Sequence, residues 1–264
     1  MKRAVLTSQT SRPGEFHRAR GFSLIEMLIA VAIVTAVIAV VVQGITKMQR
    51  RSFVEGSKID TVQETRDFID QMVRDIHNVG YPPPKVNPNP GANCTTVNNQ
   101  NVACGLIYFS PTQIKYEADL DGSGTVYQVW VQLAVGASGG CPCILQRGAI
   151  TKAQVLAGTP PTYFTEVNGV LNSGDGTGNA TYAISLAGSG SYTTYGTADV
   201  FASYDSNATL NPVGTCTTAA ACSSIRSLQI TANVVPSFID NATNTFQVTS
   251  ITSKVRLNNV AIGN

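Results

Sequence analysis

The chain has 264 residues, 13% of them charged and 43% hydrophobic, with a formal net charge of +2. About a quarter of an average soluble protein is charged, so this composition excludes both a basic nucleic-acid-binding face and a charge-driven disordered chain. Residues 1–21 hold Lys2, Arg3, Arg12, Arg18 and Arg20 against Glu15 alone, leaving 13 basic and 15 acidic side chains beyond them.

The first element follows that basic leader. Phe22 to Val42 reads FSLIEMLIAVAIVTAVIAVVV, 21 residues with one charge, Glu26. As a helix, about 20 residues at ~1.5 Å each cover the ~30 Å hydrocarbon core of a bilayer. Basic residues before the span favour an N-terminus held in the cytoplasm. A secretory signal would have a shorter apolar region and a small-residue cleavage site, and neither is present. A carboxylate inside a span costs ~2.5–3.5 kcal/mol on insertion scales, so Glu26 marks a function.

The stretch RGFSLIEMLIAVAI closely resembles the class III signal of type IV prepilins. That resemblance implies cleavage by a membrane peptidase after Gly21, methylation of the new N-terminal residue Phe22, and a role in subunit assembly for Glu26, the fifth mature residue. Residues 1–21 are then a leader peptide, cleaved from the mature chain.

After the span, Ile59, Val62, Ile69, Val73 and Ile76 recur at helical spacing, widened by Phe68 and Met72. The other faces carry six basic and six acidic residues, Asp75 among them, which reads as a mixed solvated surface. One helix is therefore expected over residues 22–78, with a membrane-spanning part 22–42, an amphipathic part 43–78 and a soft point at Gly44. Gly80 and Pro82–Pro84 end it.

Residues 79–264 read as β structure and form the expected extracytoplasmic head. Strand candidates are Leu106–Phe109, Ile114–Glu117, Val126–Val135 and Cys143–Arg147, then the alternating runs Leu228–Val234 and Ile251–Leu257. Residues 168–223 are rich in Gly, Ser, Thr, Asn and Ala, and are expected to be loop-rich decoration. The fold class is thus α+β, a long helix packed on an antiparallel sheet. The pilin resemblance implies the same arrangement, a lollipop. RDFIDQMVRDIHNVGYP, IKYEADLDGSGTVYQVWVQL and ITSKVRLNN also resemble segments of large minor pilins of the PilW kind and of J-type pseudopilins.

Six cysteines lie beyond the span, on the side the leader charge places outside the cytoplasm. An even number there reads as disulfides. Local closure favours Cys94 with Cys104 and Cys216 with Cys222, leaving Cys141 and Cys143, whose bridge across one residue would be strained. Asp119, Asp121 and Ser123 resemble the start of a calcium loop, but Trp130 stands where the bidentate Glu belongs, so a β-turn is expected. The run 136–140 matches G-x-S-x-G, yet Cys-Pro-Cys follows in place of a helix, and the histidines are His17 and His77. No enzyme, metal or cofactor is expected. Trp130 is expected to pack in the sheet, and the sequons at Asn93, Asn179, Asn207 and Asn241 to arise from composition.

The resemblance implies a minor type IV pilin, a structural subunit that initiates or caps an extracellular filament. Its partners would be other major and minor pilins, the prepilin peptidase, an inner-membrane assembly platform, and membrane lipid before assembly. Its rivals are a type II secretion pseudopilin and a surface-adhesive or DNA-uptake pilin. Seven basic against eight acidic residues in 79–264 give nucleic acid no evident patch.

Overall fold

The computed structural model describes residues 21, 23–82, 100–136, 139–186, 189–210, 214–240 and 243–258. Cys94, Asn93 and Asn241 lie outside them, as does Phe22. Two compact units divide the chain, Met1–Gln49 and Arg50–Asn264.

Helix α1 runs from Leu24 to His77 without a break at Gly44 or Gly56. A glycine disfavours helix by about 1 kcal/mol, too little to interrupt a run this long and this apolar. Ser23 opens it, its carbonyl accepting the Glu26 and Met27 amides at 3.0 and 3.1 Å. Arg74 and His77 sit in the last turn, where positive charge complements the helix dipole. In the first unit, every side chain from Leu24 to Ile45 is exposed around the full circumference. The hydroxyls of Thr35 and Thr46 turn back onto the carbonyls of Val31 and Val42, each at 2.8 Å. Between Leu24 and Val42, no polar side-chain group other than Glu26 therefore needs a partner from outside.

In the second unit, α1 buries Thr65, Phe68, Ile69, Met72 and Ile76. Fully burying each of the apolar four is worth roughly 1.5–3 kcal/mol. The expected stripe is shorter than its periodicity: Ile59 is 55% exposed, and close packing begins at Thr65.

Among the described residues, eight strands form one antiparallel sheet: β1 (Leu106–Ser110), β2 (Gln113–Ala118), β3 (Tyr127–Ala134), β4 (Cys143–Thr151), β5 (Phe164–Val170), β6 (Phe201–Tyr204), β7 (Ser227–Val234) and β8 (Thr249–Arg256). Their order is β1-β2-β3-β4-β5-β7-β6, with β8 along β7. β3 alternates from Val129 on, burying Val129, Val131 and Leu133 while Trp130 and Gln132 are half-exposed; at its start Gln128 is buried and Tyr127 half-exposed, the reverse of the alternating pattern. The core joins the buried face of α1 to Phe109, Ile114, Tyr116, Leu145, Phe201, Leu228 and Ile230 among others. The fold is α+β, as the sequence indicates.

The loop-rich reading of 168–223 holds for most of its described residues, with a few short elements set into it. These are the end of β5, all of β6, helix α3 (Thr193–Gly196), a 3-10 turn at Ser189–Tyr192 and the start of another at Ala221–Ser224. β5 breaks alternation because its pairing with β4 shifts register twice. Gly169, at φ +74°, accommodates the close approach of the Val235 carbonyl, which a Cβ would strike.

Candidate functional site

Gly21 is exposed, and nothing lies within 4 Å of where its Cβ would be. An endopeptidase would meet open backbone there. Five residues on, Glu26 occupies the first turn of α1, exposed, among side chains that are otherwise apolar. A carboxylate at a helix N-terminus is favoured by the dipole, by about 0.3–1 kcal/mol. That is well below the cost of keeping an unpaired charge in a membrane span, so Glu26 calls for a partner.

Within the second unit, two charge clusters lock the sheet. Asp75 is not on a solvated face. Its Oδ2 accepts from Tyr116 Oη at 2.9 Å and from Arg147 Nη2 at 2.8 Å, with both charged side chains 13% exposed. Burial of the Tyr116 ring, together with the Asp75 charge, pushes that phenol well above its ordinary range. The triad therefore holds a neutral Tyr between an anion and a cation, tying the end of α1 to β2 and β4.

The second cluster centres on Lys152. Thr151 caps the short helix α2 (Lys152–Leu156) through a capping box with Gln154. This geometry turns Lys152 inward, where it is 2% exposed. Its Nζ donates to Glu117 Oε2 and to the Val102 carbonyl, each at 2.7 Å, and lies 3.6 Å from Cys104 Sγ. Glu117 Oε2 also accepts the Cys104 amide at 2.8 Å, and Oε1 accepts Gln128 Nε2 at 3.2 Å. Sequence reasoning passed over this pair; its one signal was a Glu within an alternating strand.

The described cysteines are oxidised. Cys216 and Cys222 are bridged, closing a short loop against the core. Cys141 and Cys143 are bridged as well, with Cα atoms 4.1 Å apart, although their spacing argues against it. Cys104 is disulfide-bonded, while Cys94 lies outside the described residues. Maleimide labelling of native protein without reductant should accordingly modify no cysteine, and labelling after denaturing reduction should modify all six. Closing the Cys216–Cys222 loop contributes about 2–3 kcal/mol. Two or more free thiols in native protein would contradict the assignment.

The remaining candidates resolve into structure. Asp119 spends both carboxylate oxygens on main-chain amides, Oδ1 on Gly122 and Oδ2 on Gly124, each at 2.9 Å. Asp121 Oδ1 accepts the Ser123 amide at 3.0 Å, and Ser123 Oγ accepts the Thr125 amide at 3.2 Å. Gly122 and Gly124 adopt φ of +72° and +83°, which fits the turn reading. Gly136–Gly140 closes a hairpin between β3 and β4, through the Gly136 amide on the Gly140 carbonyl at 3.1 Å. That is no strand-to-helix elbow. Trp130 is covered: the Lys115 ammonium sits 3.6 Å from its ring centroid and Tyr163 packs beside it at 6.4 Å. Among the described residues no three His, Cys, Asp or Glu side chains gather as a metal site.

The chemistry of the molecule thus concentrates at its N-terminus, in an accessible glycine, one carboxylate and a helix long and apolar enough to cross a membrane. No curated protein and no solved structure matches the chain. Residues 16–42 match the family described as the prokaryotic N-terminal methylation motif, which covers Gly21, Phe22, Glu26 and the apolar run together. Residues 16–42 thus carry a type IV pilin-like signal.

Proposed function

We propose that the protein is a minor pilin that helps initiate or cap a filament. It is made in the inner membrane with its N-terminus in the cytoplasm and residues 79–264 outside. The observation that carries this reading is the order of elements at the N-terminus: a basic leader, Gly21, then an apolar helix whose single charge is Glu26. The physics supports a structural role. Leu24–Ile45 exposes apolar side chains on all sides, which is stable only in lipid or against other apolar helices. Leaving the bilayer therefore requires bundling with other pilins, which replaces lipid contacts with helix contacts. The disulfide-closed, ion-paired β domain tolerates life outside the cytoplasm and forms the outer surface of the bundle.

Intact-mass analysis of protein purified from its native host tests the assignment. The expected mature form lacks residues 1–21, begins at Phe22 and carries one added methyl group. A mature N-terminus at any other residue would sink the prepilin reading.

A further inference from the structure

Among the described residues, the sheet has one long open edge. At β1, Phe109 and Cys216 exchange amide-to-carbonyl bonds at 2.9 and 3.0 Å, which closes that side. β6 holds four residues, and the chain beyond it folds back to pair Tyr204 with Leu210. β8 pairs with β7 over eight consecutive positions without a bulge, and no described strand lies on its other side. In β7 the Thr231 amide donates to the Val200 carbonyl at 2.9 Å, and the Asn233 carbonyl accepts the Leu171 amide at 2.8 Å. Odd-numbered residues of β7 thus bond away from β8. The even-numbered ones bond to Thr249, Ile251, Ser253 and Val255. The amides and carbonyls of Ser250, Thr252, Lys254 and Arg256 therefore point outward, and among the described residues no backbone bond takes them up.

A second feature lies beside this edge. β8 runs along α1: Gln247, just before it, bonds Lys58 at 2.8 Å, and Asn258, just after it, lies 3.2 Å from His77. At about 100° per residue, Val62 and Ile59 stand roughly 60° and 120° around α1 from the centre of its buried face, on the flank that also bears His77. Their periodicity predicts burial, yet Ile59 is 55% exposed and Val62 half-exposed. Apolar side chains left open beside unpaired strand groups make a corner that one further strand would fill. We propose that β8 receives an extended segment of a partner protein, with apolar residues toward Ile59 and Val62 and acidic residues on the opposite face. Main-chain bonds to β8 supply affinity, and alternate side chains supply selection. The acidic choice follows from charge. Lys254 and Arg256 are exposed on that outer face and join no ion pair among the described residues. The Lys254 ammonium rests on the Tyr204 ring, 3.4 Å from its centroid. Arg66 and Asp70 on the facing flank of α1 offset each other, so the surplus is positive. Positive charge on an edge also disfavours pairing with the same edge of a second copy. The contact uses only the second unit, neither Gly21 nor Glu26, and so stands apart from the filament reading.

The test uses the full-length protein in detergent. Its probe is a dye-labelled peptide of about ten residues alternating Glu with Val, read by fluorescence anisotropy. The peptide should bind saturably, and a Lys–Val counterpart should bind at least about tenfold more weakly. K254E/R256E should reverse that preference, and Ile59→Asn should weaken binding of both peptides. Thr252→Pro removes an outward amide without touching the ladder to β7, so binding should be lost while the thermal midpoint holds. A peptide N-methylated at alternate residues makes the same test from the other side, should the proline variant unfold. The proposal is overturned by an absence of saturable binding, by an affinity that ignores the charge reversal, or by binding that survives the loss of edge bonds. Self-association of the protein that Thr252→Pro abolishes would give the edge to a second copy and overturn it equally. The filament reading survives each of these outcomes and fails separately, on a mature N-terminus other than Phe22.

Discussion

Replacing Lys152 with Met should destabilise the folded β domain by about 3–5 kcal/mol, a large share of the 5–15 kcal/mol that holds a typical domain together. Among the described residues, Glu117, 3% exposed, would keep only the Cys104 amide and the Gln128 side chain as hydrogen-bond partners for its carboxylate. Two hydrogen bonds orient a buried carboxylate but do not neutralise it. Glu117→Leu should cost a comparable amount, because it removes the carboxylate that faces the buried ammonium. The double variant should recover part of the loss, since replacing a buried pair by apolar residues removes both desolvation penalties. Denaturant unfolding of the four forms in detergent, followed by near-ultraviolet circular dichroism, gives the coupling energy directly. A single-variant loss under about 1 kcal/mol would put the pair in the class of surface salt bridges.

The same pair shows what a sequence withholds. Strand β3 was legible because its alternation is local: every second residue declares its face. The helix and its stop were legible for the same reason. Lys152 and Glu117 are 35 positions apart, and each alone resembles an ordinary surface charge. Asp75 was placed on the solvated side of α1 because its neighbours on the helix say so. Its burial is decided by Arg147, 72 positions away. β6 was missed because four residues, Phe201–Tyr204, are too few for a period to register, and their partner in β7 is remote. The Cys141–Cys143 bridge was disfavoured from spacing alone, although both residues are fully buried in the core. At the N-terminus the opposite holds. Cleavage, methylation and span depend on contiguous residues, so that candidate site could be read before any fold was known.

Glu26→Ala should leave cleavage at Gly21 intact and the β domain folded, while recruitment into filaments fails. Peptidase action exposes the Phe22 amino group, a cation at the membrane boundary. Glu26 is a carboxylate one helical turn away, and the apolar run carries no other charge. An isolated carboxylate in the span costs ~2.5–3.5 kcal/mol. Two opposite charges 4 Å apart gain about 4 kcal/mol at an effective dielectric of 20, so a neighbour's N-terminus offsets that cost. The pair forms only when a second processed pilin arrives, which couples assembly to processing. Dipole complementarity within α1 is worth less, about 0.3–1 kcal/mol, and would not depend on a neighbour. Gly21→Ala should act one step earlier, blocking cleavage and leaving the unprocessed chain in the membrane. Immunoblots of membrane and sheared-filament fractions separate the two failures. Glu26→Gln sharpens the comparison, because it keeps the side-chain shape and removes the charge. Wild-type assembly of the Glu26→Ala protein would show that charge pairing does not recruit this subunit. A subunit at the very tip of a filament has no earlier neighbour to meet, so that outcome would place this protein first in the growing array.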